Sequence, residues 1–203
     1  MPNGLTGAIY RICDWVTRLA YLNLLWIIFT LFGFVLLGFL PATIAMFSVC
    51  RKWVMSEQDV PIFKTFFHSY RTEFRKGNLI GGCLMAVAYI LWVDYRVLHT
   101  SANSNLQNLA YLFFLLFVFY GIFLLFLFPM YVHYDLKLRQ LIKNTLLLAI
   151  ASPITAIVMV TGVLLVYYLS LSISGVIVFF SGSTLALFIM WVSYRVFQKH
   201  KGI

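Results

Sequence analysis

Between residues 144 and 194 the chain carries no Asp, Glu, Lys, Arg or His. Drawn out as one helix at 1.5 Å per residue, that stretch would reach about 75 Å. The hydrocarbon core of a bilayer is about 30 Å thick and takes about 20 apolar residues per crossing helix. The stretch is too long for one crossing, so it must fold back on itself. The polar, glycine-containing SLSISG at 170–175 follows Tyr167 and Tyr168, aromatic residues of the kind that anchor at the membrane interface, and is the predicted turn.

Composition extends this reading to the whole chain, which is 63% hydrophobic and 10% charged and so outside the range of soluble globular domains. We read residues 1–203 as a single all-α integral membrane domain, a polytopic transmembrane helical bundle. Its spans are predicted at about 20–49, 79–98, 107–132, 145–168 and 173–196, five in number, with amphipathic interfacial helices beside them. The run from 22 to 49 is too long for the apolar core of a signal peptide and lacks a small-residue cleavage site, so it is read as an uncleaved span. Straight, residues 20–49 would cover about 45 Å, more than one bilayer core. Gly38 and Pro41 are the candidate break, since a proline removes a ladder hydrogen bond and crowds the preceding turn. Such a break either exposes backbone groups to a solute near the midplane or is an ordinary kink filled by neighbouring helices.

Charge sets the orientation. Arg51, Lys52, Lys64, Arg71, Arg75 and Lys76 lie in one loop, Lys137, Arg139 and Lys143 in another, and Arg195, Lys199 and Lys201 in the tail. All fall on one side of the predicted spans, which the positive-inside rule makes cytoplasmic, together with the C-terminus. HTSANSN at 99–105 and the SLSISG turn lie opposite. An odd number of spans puts the N-terminus outside. Residues 5–20, however, form an amphipathic pattern carrying Arg11 and Arg18, which sit better inside. In that case the first apolar run must enter and leave by the same side.

The least apolar stretch is DVPIFKTFFHSYRTEFRKGN at 59–78. At 100° per residue Phe63, Phe66, Phe67, Tyr70 and Phe74 fall on one side, while Lys64, His68, Arg71 and Arg75 fall on the other. Asp59 before Pro61 is a start signal and Gly77 a stop, so a cytoplasmic amphipathic helix over about 60–76 is predicted. Its rings suit the lipid interface or packing within the protein, and its basic face suits anionic lipid or a docking partner. Glu73 falls within the aromatic stripe, where a lone carboxylate is costly, and is expected to meet Arg51, Lys52 or Lys137.

No Gly-rich phosphate loop, metalloprotease motif or nucleophile with its base is present, and the histidines at 68, 99, 133 and 200 lie in different loops or the tail. Nor is there a nucleic-acid-binding signature to go with the basic balance. Cys13, Cys50 and Cys83 have no pairable spacing and are expected to be buried apolar thiols. The chain is accordingly read as no enzyme, with no catalytic residue, cofactor or metal. Within the spans, Ser181, Ser183 and Thr184 form a candidate polar cluster that would hydrogen-bond a neutral polyol or a neighbouring helix, and Gly182 and Ala186 have the small-xxx-small spacing of close helix packing.

RICDWVTRLAYLNLLW at 11–26, GFLPATIAMFSVCRKW at 38–53 running on to residue 78, and FPMYVHYDLKLRQLIKNTLLLAI at 128–150 together resemble the YesL family. These are small polytopic membrane proteins of Gram-positive bacteria with no established activity. At HYDLKL, 133–138, the chain departs from the aromatic, acidic, Asn succession of many relatives, so no role of that Asn carries over. The resemblance implies a cell-membrane location and frequent genomic association with carbohydrate uptake systems and sensor kinases. On that basis the expected role is an accessory or regulatory component of carbohydrate uptake (ABC-type transport) or sensing. The expected partners are the lipid bilayer and a carbohydrate ABC transporter or sensor kinase, and no nucleic acid. The alternative is a stand-alone permease for an uncharged small solute such as a sugar.

The division of basic residues makes a direct prediction. With the three native cysteines replaced by serine, Asn103→Cys should react with an impermeant thiol reagent in intact cells, while Arg71→Cys and Lys199→Cys should react only after permeabilisation. Labelling at position 71 in intact cells would reverse the assigned orientation.

Overall fold

All regular structure among the described residues is helical: α1 (Leu5–Phe32), α2 (Leu36–Val54), α3 (Ile62–His99), α4 (Ser104–His133), α5 (Leu138–Ala151), α6 (Pro153–Ser172) and α7 (Ser174–Lys199). The structure, a computed structural model, describes residues 5–57, 59–100, 104–172 and 174–199. Gly4, Asn103, His200 and Lys201, and Ile173 of the predicted SLSISG turn, lie outside them. Four described helical stretches are long and apolar enough to cross a membrane: Ile9–Phe32, Ile62–His99, Gln107–His133 and Phe179–Lys199. The pair Leu138–Ala151 and Pro153–Leu169, bent by 92°, makes a fifth if counted as one span.

The first apolar run is where the structure departs most from the prediction. It is two helices rather than one span over 20–49, and the break is at residues 33–35 rather than at Pro41. Val35 N–H donates to the Thr30 carbonyl (2.9 Å) and Phe34 N–H to the Leu31 carbonyl (3.0 Å), the paired bonds of a Schellman C-cap with Phe34 in the left-handed region at φ 54°. Val35, at φ 63° and ψ −63°, then closes a γ-turn in which Leu36 N–H donates to the Phe34 carbonyl at 2.7 Å. Pro41 sits inside α2, where its missing N–H leaves only the Leu37 carbonyl without a ladder partner, and the helix continues to Val54. Gly38 contributes to the turn differently. A Cβ there would lie 2.4 Å from the Thr30 carbonyl oxygen and 2.9 Å from Gly33 Cα, so its lack of a side chain lets the two helices fold against each other.

The result is an antiparallel α1–α2 hairpin. Trp15 packs edge-on against Trp53 at 5.5 Å, and the Trp26 indole N–H donates to Thr43 Oγ1 at 3.1 Å. α2 becomes the central helix of the bundle, buried at residues 41–47 and again at Val49, Cys50 and Trp53, with α1, α3, α4 and α7 packed around it. Small residues admit these neighbours. A Cβ on Gly77 would lie 3.0 Å from Ile44 Cδ1, one on Gly81 1.7 Å from Leu40 Cδ1, and one on Gly182 2.8 Å from Asn23 Oδ1. Gly77 is therefore a point of close approach and not the predicted helix stop. The expected helix 60–76 and span 79–98 are one continuous helix, α3, because the backbone at Gly77 stays helical while its bare face lies on α2.

Contacts near the helix ends show which of them lie together. Trp15, Trp53 and Trp191 line one groove, and His133 packs against Tyr194 (5.7 Å) and Phe197 (5.0 Å). The start of α1 and the ends of α2, α4 and α7 thus share one end of the bundle. This juxtaposition bears on the first helix pair, whose two outer ends lie together. The first apolar run, folded at residues 33–35, thus begins and ends at the same end of the bundle. From Gly81, opposite Leu40, α3 continues to His99, about 27 Å further along its own axis, so the α3–α4 pair reaches well past the hairpin tip.

If close approach at glycine holds the bundle together, substitutions should separate by site. Gly182→Val should push α1 from α7 and lower stability by about 1–3 kcal/mol, whereas Gly121→Ala, whose added Cβ meets nothing within 4 Å, should be neutral or gain up to about 1 kcal/mol. Thermal unfolding in detergent measures both; equal losses would refute the packing account.

Candidate functional site

The first four turns of α3 carry the residues that the sequence singled out. Their aromatic face is anchored inside the protein. Phe66 is fully buried, and Phe29 of α1 is a hub whose ring lies 5.3 Å from Phe66, 5.9 Å from Phe67 and 5.0 Å from Tyr70. Tyr70 donates its hydroxyl to the Phe29 carbonyl (3.2 Å), Ser48 of α2 and Ser69 share a hydrogen bond at 2.9 Å, and Phe74 packs on Tyr70 at 5.6 Å. Phe63 and Phe67 stack on each other at 5.9 Å and are each somewhat under half exposed. Of the two settings open to these rings, packing within the protein claims Phe66, Tyr70 and Phe74 and part of Phe67, and Phe63 is left to the surroundings.

The basic face is set by that anchoring. With Phe66 and Tyr70 turned inward, Lys64, His68, Arg71, Arg75 and Lys76 are all exposed. None of them is in an ion pair among the described residues, whose salt bridges join Arg18 to Asp14 (2.8 Å) and Lys52 to Glu57 (3.8 Å). Glu73 does not meet a base as expected. Its carboxylate accepts a hydrogen bond from the Tyr131 hydroxyl of α4, while Lys52 is turned toward Glu57 and Lys137 stays exposed beyond the end of α4. The carboxylate therefore ties α3 to α4.

The candidate cluster in α7 does not converge on a cavity. Ser183 is fully buried against α1, its backbone N–H donating to Asn23 Oδ1 at 3.0 Å and its hydroxyl to the Phe180 carbonyl at 3.3 Å. Thr184 faces two open grooves, one beside Trp15, Trp53 and Trp191, about 470 Å³, and one beside Thr161 and Gly162, about 400 Å³. Ser181 is half-buried beside them and has a partner of its own. Ser183 is thus taken up in α1–α7 packing, while Thr184 borders the grooves. Among the thiols only Cys50 is buried. Cys13 and Cys83 lie on the outer surface, which in a membrane bundle is as apolar as the core and imposes no burial.

Two features went unread. α5 is a separate amphipathic helix, burying Leu141, Thr145, Leu148 and Ala149 while Arg139 and Lys143 stay exposed; its i, i+4 pattern and the Ser152–Pro153 step were the available signals. His133 is wedged among Tyr134, Tyr194 and Phe197, joining the ends of α4 and α7, for which spacing gave no cue. Among the described residues no group of three or more His, Cys, Asp or Glu could hold a metal ion.

Comparison with known proteins supplies relatives but no solved fold. Residues 19–95 match the family described as a protein of unknown function, DUF624. Three proteins of Bacillus subtilis (strain 168), each described as uncharacterized, align with nearly all of the chain. YesV is 39% identical over 199 residues, covering 98% of this chain and 96% of its own. YteU is 35% identical over 197 residues (97% and 88%), and YesL 34% identical over 198 residues (98% and 93%). No solved structure matches significantly. Agreement of this extent with three full-length relatives establishes that the chain belongs to the YesL family of DUF624 membrane proteins.

Proposed function

We propose that the protein is a non-catalytic accessory or regulatory component of carbohydrate uptake of the ABC type, or of carbohydrate sensing, and that it docks a cytoplasmic partner through the basic face of α3. One observation carries the docking role. Lys64, His68, Arg71 and Arg75 stand exposed and free of ion pairs on a helix whose opposite face is locked by Phe66 and Tyr70, so the charges are displayed on a fixed surface. Charges on a backbone already held in place add no backbone ordering cost on meeting an acidic partner surface, and they steer its approach. The carbohydrate context rests on the genomic association implied by the family. Solute transport by this chain alone draws less support, since Pro41 does not break its helix and the Ser183 hydroxyl already donates to the Phe180 carbonyl.

The test is affinity purification in mild detergent. The native protein should bring down a carbohydrate transporter subunit or a sensor kinase. A Lys64→Gln, Arg71→Gln, Arg75→Gln variant should fold normally and lose roughly threefold to a hundredfold in affinity, the range expected for three exposed charge pairs. Normal co-purification of the charge-reduced protein would rule out docking through this face. Sugar uptake into vesicles containing only the purified protein would favour the permease instead.

A further inference from the structure

α3 and α5 flank a groove whose floor is α4. α5 packs on α4 and, among the described residues, makes no contact with α3, so the two walls stand apart. Ile80, Cys83 and Val87 form the α3 wall, and Leu138, Ile142 and Leu146, each four residues apart, present one stripe of α5 to it. The hydroxyl of Tyr120 on the floor is already committed to the Leu84 carbonyl at 2.8 Å, so the surface offered is hydrocarbon. The cavity holds about 370 Å³ and runs from Ile80 to Leu91, about 17 Å along α3. Its shape is that of an open slot and suits an alkyl chain better than a compact solute.

Charge lies at one end of this slot. Lys76 is one helical turn before Ile80, Arg139 follows Leu138, and Lys143 follows Ile142. All three are exposed, and none forms an ion pair among the described residues. They come from two helices and border a groove with no charge of its own. α5 turns 92° from α6, so a helix with an apolar stripe and a neighbouring basic stripe is laid across the direction of the spans. That is the disposition of an interfacial helix at a phosphate layer.

We infer that this groove is a binding site for one anionic phospholipid, its acyl chain lying between α3 and α5 and its phosphate meeting Lys76, Arg139 and Lys143. A zwitterionic choline lipid would bring a quaternary ammonium to the same three cations and is disfavoured. Its apolar walls, residues 80–91 of α3 and the stripe of α5, lie beyond the docking residues Lys64, His68, Arg71 and Arg75, and only Lys76 lies at the border between the two.

Native mass spectrometry of the full-length protein, released from nanodiscs of mixed phosphatidylglycerol and phosphatidylcholine, tests it. One phosphatidylglycerol per chain should be retained, in clear preference to phosphatidylcholine. Lys76→Gln, Arg139→Gln and Lys143→Gln should each reduce that preference by about fivefold. Cys83→Trp, which fills the groove from an exposed position, should remove the retained lipid with helix content by circular dichroism unchanged. If that variant fails to fold, the three charge variants decide alone, since their side chains are exposed and their melting should match the native protein. Equal retention of the two lipids by the native protein would overturn the inference. So would native-level phosphatidylglycerol on a folded Cys83→Trp, or a change in subunit number with no change in lipid, which would make the groove a contact between copies.

Discussion

A peptide N–H left unpaired in hydrocarbon costs several kcal/mol, so a chain can turn inside a membrane only where each donor at the turn finds a carbonyl. Residues 33–36 meet that condition with backbone alone. Gly33 N–H reaches the Phe29 carbonyl, Phe34 that of Leu31, Val35 that of Thr30 and Leu36 that of Phe34. The side chains around the turn are then free to be entirely apolar: Phe32, Phe34 and Leu36 are 78, 86 and 74% exposed. A turn facing water would ordinarily carry Asn, Asp or Ser. This one is made for a lipid environment, and it accepts a β-branched residue at positive φ to get there.

The rest of the bundle depends on that turn. Folding back brings α2 between α1, α3, α4 and α7, and from Pro41 onward it must meet its neighbours through small residues and satisfied polar groups. Gly77 and Gly81 admit α2 to α3, Gly182 admits Asn23 to α7, and Thr43 answers Trp26. Because the hairpin returns to the end where it began, Arg11 and Arg18 join the bases of the later loops and the tail at one end. The N-terminal arginines and the tail no longer make opposing demands on the topology.

The sequence carried the helical class, the membrane character and the amphipathicity of 60–76 openly, because each is written as periodicity or as charge distribution. It could not carry the position of the break. Pro41 is the residue type that signals one, but near the start of a helix a proline disturbs a single carbonyl, and here Leu37 absorbs the loss. The actual turn is made at Phe34 and Val35, two of the poorer residues for left-handed backbone, and is stabilised by long-range packing of α1 on α2 that no local rule records. Gly77 misled for the related reason that a glycine which ends a helix and one which lets another helix approach look alike in a single sequence. Glu73 shows the same limit. Its cost in an aromatic stripe was legible, but its partner, Tyr131, is 58 residues away on another helix and had no charge to give it away.

Continuity of α3 changes what its basic end can be. A short interfacial helix joined to a span through a flexible glycine would swing, and charges on it would be ordered only on binding. In the structure the helix is unbroken from Ile62 to His99, pinned at Phe66 and Tyr70 to α1, at Ser69, Gly77 and Gly81 to α2, and at Glu73 and Leu84 to α4. Those attachments fall on both sides of Gly77, so rotating the basic end relative to the membrane half would break contacts with three helices at once. The same rigid rod bears the exposed bases in its first turns and forms a wall of the α3–α5 groove further along. The basic end and the groove wall therefore keep one fixed geometry relative to each other, because the helix between them is unbroken.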